Sequence, residues 1–391
     1  MQNTSTGPLA GIRVIDLSIM AAGPWTAALL GMLGAEVIKV EPPAGDSVRW
    51  HLPQQRGIGT NFVAMNVNKK DITLDLKSPE GLADAMDLAS TCDILVQNFR
   101  AGVMDRLGFG YDDLKERNPR LIYCAICGFG ETGPLSKEGC GDAVMQAFSG
   151  FAAANGAHGD AVEAFRFTGL LDLTTASVAV SSILAALVDR DRTGQGQKVE
   201  VSMLEAALEI QSTRLGELLG AGQMAYPMQS ESPAFAPDRA FETMDREIFV
   251  TAQSEIEWRG FCDAIGHPEM APDSRFATNR DRVKNRRALN EILEPIFRER
   301  PAIWWLRVFK RNYVPAGIAH NFETFRFHEQ IVSNEMITRL QTREWGEVSV
   351  AGLPWKFSET PGCVTETPQP GEHTQQVMDQ LRTSLKSAVS A

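Results

Sequence analysis

The amino-acid sequence predicts an α/β protein: a Rossmann-like, doubly wound parallel sheet in a large domain, followed by a smaller α+β domain. Three observations carry this reading. A strand, a Gly-containing turn, a helix and a second strand follow one another between Ile12 and Glu41. Strand-like and helix-like segments go on alternating as far as Cys127, the pattern of a sheet with helices on both faces. Around Gly220 to Asp238 the pattern dissolves into Gly, Met, Ser, Pro and Ala before a new strand begins, which marks a domain boundary.

Taken in order, Ile12–Leu17 reads as a short apolar strand. Ala21–Pro24 is a turn that places Pro in the first turn of a helix over Trp25–Leu33, and Gly34 ends it. Glu36–Glu41 is the next strand, closed by Pro42-Pro43. A βαβ unit of this length implies parallel pairing and a right-handed crossover. The turn lacks G-x-G-x-x-G, the pattern that lets backbone approach a pyrophosphate, which disfavours NAD. Asp71–Leu76, Cys92–Gln97 and Arg120–Cys127 read as further strands, with helices over Pro79–Ala89 and Tyr111–Arg117. Asp142–Ala154 and Asp172–Arg190 read as helices, Thr193–Ser202 as a turn into one more strand, and Met203–Leu219 as a helix. The second module opens with the strand Glu247–Ala252. Helices follow near Glu255–Ile265, Arg282–Arg298 and Ala302–Arg311, then a turn at Val314–Ile318 and a helix from His328 to Met336. Val348–Phe357 and a last helix look like a return to the first domain. The divisions are therefore residues 1–222 for the first part of the large domain, 223–238 for a linker, 239–325 for the small domain, and 326–391 for a linker and the return.

Length and composition bound the rest. At 391 residues the chain suits about two domains, at roughly 150 residues each. With 43% hydrophobic and 22% charged residues it has the balance of an ordinary globular protein. A net charge of −11 argues against nucleic acid or an anionic membrane as a bulk partner. The start has neither the basic region nor the apolar stretch of a signal peptide. The most apolar run, Ala176 to Val188, is short and contains Ser, so a bilayer span is not expected and the cytoplasm is the expected compartment. Cys124-Ala-Ile-Cys127 matches C-x-x-C, but it lies within a strand-like run and has no second Cys or His pair at ligand spacing. It reads as a buried pair, and no metal site is expected.

In doubly wound sheets ligands bind beyond the carboxyl ends of the strands. The informative segments are thus Met20–Pro24, Asn98–Arg100 and Gly128–Pro134. Lys69, Lys70, Lys77, Arg100, Arg106 and Lys137 place positive charge near them, which would suit phosphates. One carboxylate, Asp172, lies between an apolar approach and a long run of small and aliphatic residues. Asp-Leu-Thr-Thr before such a run is a helix-start signature, and capping is the commoner use of an Asp there. The same place would serve a nucleophile, because the helix dipole and free N–H groups favour ionisation while apolar flanks limit hydration.

Several motifs in a fixed order carry a resemblance. They are Pro8–Asp16, Ala22-Gly-Pro24, Leu33–Pro42, Asn98-Phe99, Gly128–Pro134, Gly141-Asp142 with Gln146-Ala147, Thr193–Gln197, Pro315-Ala-Gly317 and Gly371–Thr374. Together they resemble the class III coenzyme A transferases, which include formyl-CoA and carnitine-CoA transferases, with α-methylacyl-CoA racemase as a cousin. The resemblance runs nearly end to end. It implies a large domain made from both chain ends and a homodimer whose subunits interlock like linked rings. It implies acyl-CoA and a small carboxylic acid as substrates, with no tightly bound cofactor. Asp172 falls where the family's nucleophilic aspartate sits. Ala21, Ala22, Leu74, Lys77, Asn98, Phe99, Arg100, Arg106 and Lys137 fall where the family contacts coenzyme A.

Three departures narrow the reading. The racemase cousin has a histidine where this chain has Gly141, and without that base one of two proton carriers for α-proton exchange is missing. The glutamine found before Ala-Gly-Pro in some transferases is Ala21, and the glycine-rich loop of the formyl-CoA branch is not visible between Met224 and Glu247. These argue against formyl-CoA and oxalate as substrates. The leading expectation is CoA transfer through Asp172. The alternatives are an acyl-CoA racemase or isomerase and a noncatalytic CoA-binding protein.

Overall fold

The computed structural model describes residues 7–156, 159, 162–343 and 345–390. They fall into two units. The larger lies within Met1–Ala152, Ala164–Met224 and Val332–Ala391, the smaller within Ala153–Glu163 and Ala225–Ile331.

The larger unit is built on six parallel strands: β1 (Arg13–Asp16), β2 (Glu36–Glu41), β3 (Lys69–Thr73), β4 (Ile94–Gln97), β5 (Ile122–Cys127) and β6 (Lys198–Ser202). Their order across the sheet is β3-β2-β1-β4-β5-β6. The chain winds outward in one direction from β1 and then in the other from β4, so the topological switch lies between the ends of β1 and β4, where such sheets open a crevice for ligand. The predicted doubly wound fold is the observed one.

Alternate residues feed two cores, as expected of a parallel sheet buried on both faces. Val14, Val37, Ile94 and Ile126 meet α1 (Ala22–Met32) and, further along the chain, α4 (Leu170–Thr193) on one side. Ile15, Ile38, Leu95 and Tyr123 meet α2 (Pro79–Ser90) and the C-terminal α5 (Thr374–Ser390) on the other. By length and composition α4, with a mean hydropathy of 1.8 over its most apolar window, could cross a bilayer. Here its inner face, from Leu171 through Ala176, Ala179 and Ile183 to Leu187, is buried in the larger unit. Its far end is pinned where Arg190 bonds Asp93 at 2.9 Å, and Gly194 takes the left-handed conformation that stops the helix.

The smaller unit has an antiparallel sheet of β7 (Asp238–Glu242), β8 (Glu247–Thr251) and β9 (Ala316–Ile318), ordered β9-β8-β7. Helices Glu255–Ile265, Arg286–Phe297 and Ala302–Arg311 bury Trp258, Phe261, Phe297, Trp305 and Phe309 against it. A hairpin of β10 (Ile337–Thr342) and β11 (Gly346–Ala351) belongs to the larger unit.

Several expected spans differ. Residues 142–154 are not one helix: α3 (Asp142–Phe148) stops before Gly150, which is left-handed at φ 82°, and a short turn of helix follows. Met203–Leu219 is two helices that meet at Gln211. Residues 282–298 break at Asn285, whose side chain bonds the carbonyls of Arg275 and Asp281. Residues 314–318, expected as a turn, include β9, and residues 238–242, expected partly as linker, form β7. Only Phe241 of β7 is buried, so its pairing with β8 is not visible as apolar alternation. The expected helix ending at Met336 is helical only over Glu329–Ser333, and β10 follows it.

Candidate active site

The carboxyl ends of β1, β4 and β5 and the N-terminus of α4 share a chain of close contacts. After β1, Ser18 to Pro24 leads into α1. Asn98, just past β4, grips this segment at Ile19, accepting from its N–H at 2.9 Å and donating to its carbonyl at 2.7 Å. Met20 is left-handed at φ 68°. Gly23 is packed so closely on Ser18 that a Cβ would overlap its side chain. Two residues beyond Asn98, the Arg100 guanidinium lies where a side chain at Gly139 would have to go. Next to Gly139, Cys140 packs against Gly128 at the end of β5. From there the chain turns through Gly141 into α3, whose first residue, Asp142, reaches α4.

Asp172 is the third residue of α4, and Gly169 is the N-cap, without a side-chain cap of its own. The expected capping role is therefore taken by another residue. Asp142 Oδ2 accepts from the N–H of Leu171 at 2.7 Å and of Asp172 at 3.3 Å. With those amides satisfied from outside, the helix begins two residues before Asp172 and the Asp172 side chain is free of capping. It folds back over Gly169, where a Cβ would stand 3.0 Å from Asp172 Oδ2. Gln146, fully buried, holds Asp142 through Nε2 and also brackets Phe165, donating to its carbonyl at 2.9 Å and accepting from its N–H at 2.7 Å.

The electrostatics differ from expectation in the same way. The helix amides were expected to favour ionised Asp172, but they serve Asp142 instead. Among the described residues none donates a hydrogen bond to the Asp172 carboxylate. Burial, followed by the Asp142 charge, raises its pKa to about 6. At neutral pH it is still mostly ionised, half-buried and short of partners. Burial and these two carboxylates also push the Cys140 thiol upward.

The expected coenzyme A contacts divide into groups. Ala21, Ala22 and Asn98 meet at the switch point, and Phe99 follows, its N–H bonded to Gln97 at 2.8 Å and its ring against the α2 core. Arg100 and Arg106 are exposed, Arg100 over Gly139 and Arg106 folded back to within 3.1 Å of where a Gly102 Cβ would be. Leu74 is buried at the end of β3; beyond it Asp75 accepts from the N–H of Lys77 at 3.0 Å, leaving the Lys77 side chain exposed. Lys137 is exposed in the loop between β5 and α3.

Two cations do not serve as expected. Lys69 is buried and bonded to Asp16, Pro24 and Asn66, so no phosphate reaches it. Lys70 points to Glu36 near the amino end of β2, away from the carboxyl ends. Both begin β3, and reading them as surface charge overlooked which end of the strand they occupy. Sequence reasoning also missed the parts of Asp142 and Gln146. The signal was present as Gly141-Asp142 and Gln146-Ala147, but nothing local ties them to a helix that starts at Leu170.

Comparison with known proteins places nearly the whole chain in a family. The family model described as CoA-transferase family III matches residues 9–374. The chain is 32% identical to human succinyl-CoA:glutarate CoA-transferase, covering 96% of this chain and 86% of that protein. It is 36% identical to the acetyl-CoA:oxalate CoA-transferase of Acetobacter aceti, covering 90% of each. A crystal structure of a CAIB/BAIF family protein from Brucella suis superimposes with a TM-score of 0.86 at 30% identity, over 96% of this chain and 99% of that one. The doubly wound sheet and similarity over nearly the whole length lead to one conclusion: the chain belongs to family III of the CoA-transferases and is an enzyme that moves coenzyme A between acyl-CoA and carboxylic acids.

Proposed function

We propose that Asp172 is the nucleophile of this transfer and carries the acyl group and coenzyme A in turn. The observation that supports it most directly is the state of that carboxylate: half-buried, beside a second carboxylate, and given no hydrogen bond by the described residues. Such a group lowers stability, so its placement suits reaction. Asp172 attacks the donor thioester carbonyl, forming a mixed anhydride as the C–S bond breaks and CoA leaves as thiolate. The thiolate attacks the aspartyl carbonyl of the anhydride, giving an aspartyl-CoA thioester and releasing the donor acid. The acceptor carboxylate attacks that thioester, and the freed thiolate takes the acceptor acyl group from the second anhydride. Each step exchanges one activated acyl bond for another, so thioester energy is kept as long as water is excluded.

In this reading Ala21, Ala22, Asn98 and Phe99 line the pantetheine approach, while Lys77, Arg100, Arg106 and Lys137 meet the phosphates or adenine and Leu74 fixes the turn that presents Lys77. The N–H groups at the start of α1 face the thioester oxygen. The relatives named for glutarate and oxalate support a small dicarboxylic acid as acceptor. α-Proton exchange is the weaker reading, since the residue before Asp142 is glycine and offers no proton carrier. Phe148, at the end of the helix that begins with Asp142, is 54% exposed, and a second copy of the chain is the proposed cover. Light scattering on the purified protein tests that dimer.

Intact and peptide mass spectrometry after incubation with a panel of acyl-CoAs tests the mechanism. A CoA-sized adduct on the Asp172 peptide, absent in Asp172→Ala, is expected. Deuterium uptake at the acyl α-carbon from heavy water without any adduct would replace transfer with racemisation.

A further inference from the structure

Beneath the Ser18–Pro24 segment lies a set of buried charges that the mechanism above does not use. Asp16 at the end of β1, Lys39 in β2 and Lys69 in β3 all project to the α1 side of the sheet and are 0%, 0% and 5% exposed. Lys39 Nζ donates to the Ser18 carbonyl at 2.9 Å and to Asp46 at 3.1 Å. Lys69 Nζ donates to the Pro24 carbonyl at 2.8 Å, to Asp16 at 2.7 Å and to Asn66 at 2.8 Å. Asp16 Oδ1 accepts from the Ser18 N–H at 2.9 Å and from the Ser18 hydroxyl. Three charged side chains on three strands thus converge on the two ends of one short segment, while Asn98 holds its middle.

Stability alone is a poor account of this arrangement. Buried ion pairs are often no better than well-packed apolar side chains of the same size, because desolvation offsets the attraction. A plain connection from β1 to α1 would also not need Met20 at φ 68°, a conformation that persists only where the surroundings over-determine it. The same face carries a comparison within itself. Arg49 is just as buried and bonds Glu41, Asp71 and the Pro368 carbonyl, yet it does not touch the Ser18–Pro24 segment.

We propose that Asp16, Lys39 and Lys69 are positioning residues for acyl transfer, which fix the Ser18–Pro24 segment so that the N–H groups at the start of α1 meet the developing oxyanion. None of the three touches substrate. The inference rests on the reading that this segment faces the thioester. A misplacement of about 1 Å in such a site is enough to slow reaction on the order of 100-fold without removing a substrate contact.

The test compares Lys39→Met, Lys69→Met and Asp16→Asn with Arg49→Met. Each folded variant is measured for its single-turnover rate of CoA adduct formation on Asp172 and for its acyl-CoA dissociation constant. The expected result is a rate lower by about 10- to 100-fold with affinity within about threefold of wild type for the first three. Arg49→Met should melt earlier yet keep its rate within about threefold. Wild-type rates in the Lys variants overturn the inference, as does an Arg49→Met rate that falls as far as theirs. Should the Met variants not fold, Ser18→Ala removes only the hydroxyl bond to Asp16. A fall of about threefold or more at an unchanged melting temperature supports the inference, and an unchanged rate overturns it. Wild-type protein that forms no adduct on Asp172 sinks the nucleophile reading and this inference with it. An adduct in wild type and undiminished rates in the variants sink this inference alone.

Discussion

Asp142 caps the helix that carries Asp172: its Oδ2 accepts the Asp172 backbone N–H at 3.3 Å, so the two carboxylates share one helix end. One uses the amides and the other is left with the field of its neighbour. This division of roles has a measurable signature. On the proposed mechanism, in which the ionised carboxylate of Asp172 attacks, the rate of adduct formation in wild type should rise with pH through an inflection near 6 and level off above it. Asp142→Asn removes the neighbouring charge and should move the inflection toward lower pH. An inflection that stays at 6 would show that burial alone sets it.

The same burial lowers stability at working pH. The folded-state pKa of Asp172 lies above that of a free carboxyl, so its relative contribution to stability is fully present below about pH 4 and is lost as pH rises toward 6. Asp172→Asn should therefore be more stable than wild type at pH 8 by about 2 kcal/mol while inactive, with the difference vanishing near pH 4. Thermal melts at the two pH values check both the sign and the window.

Gly169→Ala separates space from conformation. Gly169 has φ −71°, which alanine accepts, but the added methyl would press on Asp172 Oδ2 from 3.0 Å. Single-turnover rates should fall about 10-fold or more with a melting temperature within a few degrees of wild type. A normal rate would mean that the carboxylate works from another rotamer.

Gln146→Leu should be a stability variant first. It removes both hydrogen bonds to the Phe165 backbone and frees Asp142, so about 1–3 kcal/mol should be lost in denaturant unfolding, at about 0.5–1.5 kcal/mol for each bond. Among molecules that stay folded, the adduct rate should also fall, since Asp142 then no longer fixes the start of α4.

Much of this was legible in the sequence, and what was not has a common cause. Strands β1, β2, β4 and β5 were found from short apolar runs, because a strand buried on both faces writes its burial into consecutive residues, while β3 and β6 were found as the next strand after a helix in the alternation. Asp172 stood out because an acid between apolar stretches is conspicuous, although capping, the commoner reading of it, belongs to Asp142. What the sequence did not reveal were relations between distant positions. The cap from Asp142 to Leu171 spans 29 residues. Arg100 over Gly139 and Asn98 on Ile19 join segments that only the strand order brings together. Lys69 was read as a charge suited to phosphates because its partner, Asp16, lies two strands away in the sheet and far away in the chain.

The tail of the chain finishes what its beginning starts. The carboxyl group of Asp71 in β3 accepts from the Gly371 N–H at 2.6 Å, its backbone carbonyl accepts from His373 N–H at 2.9 Å, and Arg49 donates to the Pro368 carbonyl at 3.2 Å. On a ribosome, which delivers the N-terminus first, β1 to β6 emerge long before these partners do. The smaller unit, drawn almost entirely from residues 225–331, has all of its chain available earlier than the larger one does. The larger unit must therefore wait, with Arg49 and Asp71 lacking these bonds, until Pro368 to His373 have been made. A stop before Pro368 would release a protein whose smaller unit has all of its chain and whose larger unit does not.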